Sequence, residues 1–279
     1  MSIITGIITV LVVLVILYLL AIMPRMTGRP DRTPYLGVYY AHRGLHDNES
    51  EAPENSMAAF QKAVDAGFGI EMDVQLTRDK VPVVFHDFTL KRVCGRSGKI
   101  SDYSFEELSR LFLCRSKEKI PKLEDFLKLV DGRVPLIVEL KVEWTDLSVC
   151  PLADELLSAY KGVYCMESFN PLALLWYRRH HKSVMRGQLS DAFLQEEGMK
   201  GILYFGLEHL LLNFVTKPDF IAYNHKHYRN LSRLICRKLY KNLAVAYTMK
   251  SEKELRERQN DFDLFIFDSF VPGENMEKG

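Results

Sequence analysis

Two hydrophobic textures divide the chain. Ile3 to Met23 is a run of 21 residues without a charge. At ~1.5 Å per residue it makes a helix of ~31 Å, the thickness of a bilayer's hydrocarbon core. From Val38 onward the apolar residues fall instead into short runs bounded by polar turns. These predict strands at Val38–Ala41, Ile70–Leu76, Val81–Phe85, Leu136–Leu140, Val163–Phe169, Val184–Leu189, Phe220–Tyr223, Leu243–Tyr247 and Leu264–Asp268. Between them, amphipathic periodicity predicts helices over Ser56–Ala66, Phe105–Leu113, Leu123–Val130, Leu152–Tyr160, Pro171–His181, a stretch near Phe193–Val215, Tyr228–Lys241 and Glu252–Arg258. Short, wholly apolar strands are those buried on both faces of a parallel sheet, and their alternation with helices means α/β. Eight strand–helix units can be counted if Val81–Phe85 extends the second strand. Pattern alone does not separate a closed barrel from an open sheet.

The first texture predicts a retained transmembrane anchor over residues 1–24. A cleaved signal peptide would need a basic leader, a shorter apolar run and a small-residue cleavage site, and Ala21-Ile22-Met23-Pro24 is a poor one. Arg25, Arg29 and Arg32 follow the run and no Lys or Arg precedes it, so a single-pass protein with a cytoplasmic catalytic domain is expected. Residues 25–37 read as a linker and residues 38–279 as one domain.

Composition narrows the picture. Lys plus Arg number 37 and Asp plus Glu 36, a net charge of +1, so no nucleic-acid partner is expected, since phosphate neutralisation needs a basic excess or face. The five cysteines form no C-x-x-C, which argues against a zinc ribbon, a thioredoxin-type site or a disulfide scaffold.

Candidate chemistry gathers at the downstream ends of the expected strands, the active-site end of parallel α/β folds. His42 and Arg43 end the first. Glu71 and Asp73 are two apart on the second and so share a face. His86 and Asp87 follow Val81–Phe85, and Glu139 and Lys141 are again two apart. Each fragment alone reads more simply as a turn, a solvated edge or a surface ion pair. Together they would bring three carboxylates into one mouth, where mutual repulsion calls for a hard divalent cation, Ca²⁺ or Mg²⁺.

The ordered set resembles the glycerophosphodiester phosphodiesterase family. The matching text is Ala41-His42-Arg43-Gly44, Pro53-Glu54-Asn55-Ser56, Glu71-Met72-Asp73, His86-Asp87 with Arg92, Glu139-Leu140-Lys141 and Ser168-Phe169. The resemblance implies a (β/α)₈ TIM-type barrel, one divalent cation, and hydrolysis of glycerophosphodiesters to glycerol phosphate and an alcohol. It implies His42 and His86 as the acid/base pair, Glu71, Asp73 and Glu139 as metal ligands, and Arg43 and Lys141 as phosphate contacts. Tyr247-Thr248 stands where relatives carry Trp-Thr, and Asp268-Ser269 where they carry Thr-Asp. Both changes fall around the expected alcohol-binding region, making Tyr247 a candidate substrate contact.

Asn55 and Ser56 read most simply as a helix N-cap. His225 and His227 read as solvated loop residues. Gly201–Val215 reads as a helix packed on the barrel, with a surface resting on the bilayer as the alternative. The expected substrate is a small or lipid-derived phosphodiester. Two rival readings are a lysophospholipase D-like hydrolase on the same barrel and a catalytically idle lipid-binding protein.

Overall fold

A computed structural model describes residues 3–273. Met1, Ser2 and residues 274–279, the two ends of the expected domains, lie outside the described residues. Nine strands form: β1 Tyr39–His42, β2 Gly69–Leu76, β3 Pro82–Val84, β4 Leu136–Leu140, β5 Tyr164–Ser168, β6 Met185–Ser190, β7 Phe220–Asn224, β8 Leu243–Met249 and β9 Leu264–Phe267. Eight are parallel in the order β1-β2-β4-β5-β6-β7-β8-β9, and β9 pairs back onto β1, closing an eight-stranded barrel. β3 folds back antiparallel on β2, Val74 opposite Val84. This is the expected extension of the second strand.

The helices are α1 Ile3–Ile22, α2 Met57–Asp65, α3 Lys91–Cys94, α4 Phe105–Leu108, α5 Leu123–Val130, α6 Val149–Ala159, α7 Pro171–His180, α8 Ile202–Glu208, α9 Asn213–Thr216, α10 Leu231–Lys238 and α11 Glu252–Arg258. Several begin at a side chain that accepts an otherwise unpaired N–H: Ser56 on α2, Asn170 on α7, Asn230 on α10 and Ser251 on α11. α5 buries Leu123, Phe126, Leu127 and Val130, one stripe of a 3.6-residue period.

Three expected helices come out much shorter, and of these Tyr228–Lys241 is helical only over Leu231–Lys238. Phe105–Leu113 is helical only to Leu108; Leu108 and Leu113 turn into a small apolar cluster with Val83, Phe85 and Ile120 over the β3 arm. Phe193–Val215 breaks into a 3₁₀ turn, α8 and α9, with Gly198 and Gly201 at φ +82° and +108°, backbone that side-chain-bearing residues rarely adopt.

The barrel interior has two layers. The lower one is apolar: Tyr40, Ile137, Cys165, Met185, Phe220, Leu243, Val245, Leu264 and Ile266. Gly187 belongs here for lack of a side chain, since a Cβ would stand 2.0 Å from the Phe220 ring. Tyr35 closes the floor, its hydroxyl donating to the Tyr164 carbonyl and its own carbonyl accepting from Tyr40 at 3.1 Å. The expected linker is not a free tether. Arg25 and Arg29 run under the barrel, with Arg25 N bonded to Pro218 O at 3.1 Å and the Arg29 guanidinium to the carbonyls of Tyr240 and Lys241 at 2.8 and 3.0 Å.

Candidate active site

Two residues further up the same strands the interior becomes charged. Glu71 and Asp73 on β2 and Glu139 on β4 point inward, and one oxygen of each lies within 4.8 Å of the others. The period of two explains it: Ile137 faces the lower layer, so Glu139 faces the layer above. β2 and β4 are in register with Asp73 opposite Glu139, and Glu139 is opposite Glu167 on β5. All four carboxylates are buried.

The cations are few. Lys141 Nζ sits 3.0 Å from Asp73 and 2.8 Å from Glu139. Arg43 Nε is 3.7 Å from Asp73, but its Nη1 is bonded to Glu54 at 2.8 Å. Burial pushes Glu71 well above the usual carboxylate range, and Asp73, Glu167 and Glu139 add to it. Burial also raises Glu139, against the pull of Lys141. For Asp73 burial is overruled: Lys141, His86, Arg43 and the Asn55 amide hold it well below that range. A pocket of acids with too little positive charge and all-oxygen donors fits a hard divalent cation held by Glu71, Asp73 and Glu139.

His42 ends β1. Its Nδ1 is 3.2 Å from Asp268 Oδ2 and its Nε2 3.9 Å from Glu71. Burial pushes this imidazole down to about 4, against Asp268, so it is neutral at pH 7. Asp268, just past β9, also meets His46 Nε2 at 3.3 Å and the Lys250 ammonium. On the other side His86 Nδ1 is 2.6 Å from Asp87, which Arg92 holds at 2.7 Å. Each histidine thus has one ring nitrogen tied to a carboxylate, leaving Nε2 for chemistry.

Gly44, at φ +84°, completes the turn after His42. A Cβ there would be 2.9 Å from the backbone of Ala59, so only glycine lets the turn seat against α2. Ser56 caps α2 as expected, but Asn55 does not. It turns to φ 55° and donates to Asp73 at 2.9 Å.

Tyr247 on β8 is inside the barrel top, its hydroxyl donating to Ser190 O at 2.7 Å and its ring edge-on to Phe169. His225 and His227 stand apart from the acids; His225, expected to be solvated, is buried 3.8 Å from Glu254, and half-buried His227 is 3.9 Å from Asp191. Beside Lys141 a cleft of about 440 Å³ opens outward, lined by Gln75, Thr77, Phe88, Glu143 and Trp144.

Several residues escaped the sequence reading. Glu54 is the hub of the rim, joined by Arg43, by Arg92 at 2.6 and 2.7 Å and by Asn48 at 2.8 Å. Burial would raise its carboxyl, but these partners bring it down to about 2. Asp268 and Glu167 were also missed as site residues. An acid at a strand end was their only signal.

A closed parallel barrel thus carries a ring of acids and two carboxylate-backed histidines at its C-terminal mouth. The glycerophosphoryl diester phosphodiesterase family matches residues 42–268, and the chain belongs to it. A glycerophosphodiester phosphodiesterase of Bacillus altitudinis is 39% identical over 111 residues, 37% of this chain and 44% of the relative. The human glycerophosphodiester phosphodiesterase 1 is 39% identical over 72 residues, 25% of this chain and 21% of the relative. The matched stretches thus span less than half the length of these curated relatives. Among solved structures, an Oleispira antarctica phosphodiesterase in complex with the product sn-glycerol-3-phosphate superposes with a TM-score of 0.68 at 24% identity, covering 84% of this chain and 93% of that one. A glycerophosphodiester phosphodiesterase from Thermotoga maritima gives 0.61 at 24%, covering 82% and 94%. At that identity the likeness establishes the barrel.

Proposed function

We propose that the protein hydrolyses glycerophosphodiesters to glycerol phosphate and an alcohol. The observation that carries this reading is the convergence of Glu71, Asp73 and Glu139 between His42 and His86, in a member of this family.

A phosphodiester is an anion with a poor alkoxide leaving group, so it needs charge neutralised and protons moved. Glu71, Asp73 and Glu139 would hold one Ca²⁺ or Mg²⁺, which supplies Lewis-acid neutralisation of phosphoryl charge. Lys141 and Arg43 add fixed positive charge, Arg43 oriented by Glu54 and Lys141 by Glu139. His42, neutral and aligned by Asp268, takes a proton from the attacking oxygen, which in the net hydrolysis is that of water. His86, aligned by Asp87, delivers one to the departing oxygen. Tyr247 and Phe169 line the side where the alcohol leaves. The exposed apolar helix α1 serves as a bilayer span, and the arginines after it favour a cytoplasmic barrel.

The test is release of glycerol phosphate from glycerophosphocholine by the purified full chain. Turnover that a chelator abolishes and Ca²⁺ or Mg²⁺ restores is expected, and the better-restoring ion identifies the metal. Chelator-insensitive turnover removes the metal from the mechanism. No turnover from any glycerophosphodiester removes the activity and leaves the idle lipid-binding reading.

A further inference from the structure

α1 touches the barrel only through its last turn, and the order of those contacts gives it a direction. The Tyr18 hydroxyl shares a 2.8 Å hydrogen bond with Ser232, the second residue of α10. One turn on, Ile22 O accepts from Cys236 Sγ at 3.3 Å and from Asn213 at 3.0 Å. Tyr18 to Ile22 therefore descend alongside Ser232 to Cys236. The chain continues down to the barrel floor, where Lys217 bonds Met23 O at 3.1 Å and Arg25 meets Pro218. α10 starts at the top of the barrel, just after β7. Ile3 to Leu17, exposed apart from half-buried Gly6, thus stand beyond the rim that carries the candidate active site. At ~1.5 Å per residue they reach ~22 Å past Tyr18.

The rim beneath them is apolar. α8 lies across the top ends of β6 and β7, tied by Ser190 Oγ to Leu207 O at 2.9 Å and Tyr223 Oη to Glu208 O at 3.2 Å. It presents Ile202 at 90% exposure and Leu203 at 58%; Leu231 opens α10 at 62%, and Trp144 beside the cleft is 83% exposed. The ~22 Å of α1 beyond Tyr18 is shorter than a ~30 Å hydrocarbon core, so the core is filled only when the bilayer is drawn down to the rim, which places the level of Ser232 and Leu231 at the membrane interface. A tryptophan at that depth is in its favoured place, and exposed Lys226 and Arg229 beside Leu231 suit anionic headgroups.

We propose that the barrel sits mouth-down on the bilayer and draws its substrate from it: a glycerophosphodiester carrying an acyl chain, the lysophospholipid class, entering between α8 and Trp144. This rests on the phosphodiesterase reading above and on α1 as the span.

The experiment uses the full chain in phosphatidylcholine–phosphatidylglycerol vesicles. With Trp176→Phe, Trp144 is the sole tryptophan, and quenching by headgroup-level spin-labelled lipid is expected. Unquenched Trp144 overturns the orientation. In parallel, Ile202→Glu with Leu203→Glu should lower turnover of vesicle-borne lysophosphatidylcholine roughly tenfold or more, the affinity that burying two such side chains supports, while sparing dissolved glycerophosphocholine. Equal loss on both substrates makes α8 ordinary barrel packing, no loss on either makes it an inert surface, and both overturn the proposal. If the parent chain turns over neither substrate, the phosphodiesterase reading falls, and Trp144 quenching still decides the orientation.

Discussion

Ile137, Glu139 and Lys141 lie two residues apart along one line and face the same barrel interior, yet they belong to regions with opposite physics. At the level of Ile137 the strands contribute Tyr40, Cys165, Met185 and Phe220, sealed by Tyr35. Toward the mouth, around Glu139, they contribute Glu71, Asp73, Glu167 and His42, and one oxygen of Glu167 is buried with no hydrogen-bond partner among the described residues. The floor gains stability from removing apolar area from water, while the mouth loses it by burying acids that repel. Strand geometry is shared by both. The difference teaches that a barrel can carry a strained site because the layer beneath it, and the helices around it, hold the strands in place without it.

The comparison breaks most visibly at the floor. Phe220→Ala should cost about 3–5 kcal/mol, the usual range for a buried aromatic truncated in a core. Denaturant unfolding measures it. Turnover per folded molecule should be retained, because the mouth is built by other residues of the same strands.

At the rim the comparison sharpens with pH. Glu54 has a carboxyl lowered from an ordinary 4.5 to about 2 by Arg92, Arg43 and Asn48 acting against its burial. A depressed folded-state value means that its stabilisation is fully present above the unfolded value and lost as pH falls through the folded one. Glu54→Gln should therefore be less stable than the parent at pH 7 by on the order of 3 kcal/mol. The gap should close between about pH 4.5 and 2. A gap that stays constant across that window would show that packing, not charge, makes Glu54 important.

The mouth itself should break the other way. His42→Ala and His86→Ala each should lower turnover by roughly 10²-fold or more, with unfolding midpoints close to the parent's. Near-parental turnover in either variant removes that histidine from the mechanism.

Much of this was legible in the sequence, and the reason is periodicity. Short apolar runs gave the strands, and two-residue spacing put Glu71 beside Asp73 and Glu139 beside Lys141 on one face. What stayed illegible arises between segments. Glu54 and Arg92 meet across 38 residues of chain, and Asp268 reaches His42 across 226. Asn55 looked like half of a helix cap because its neighbour is one. Its own backbone turn, which aims the amide at Asp73, leaves no trace in hydrophobic pattern. The apolar N-terminal run announced a helix, but only the contacts of Tyr18 and Ile22 show which end of the barrel it leaves from.

The smallest expected effect returns to the floor. Tyr35 is buried with its hydroxyl donating to the Tyr164 carbonyl, and burial pushes its phenol far above the usual range, so it stays protonated. Tyr35→Phe keeps the ring that plugs the barrel and removes one hydrogen bond. That should cost about 1 kcal/mol, the net value of a typical intramolecular bond. Nothing at the mouth touches Tyr35, so turnover, metal response and the pH window of Glu54 should all be unchanged. If Tyr35→Phe instead lowers turnover, the two layers are mechanically coupled, and the separation of a stabilising floor from a strained mouth does not hold.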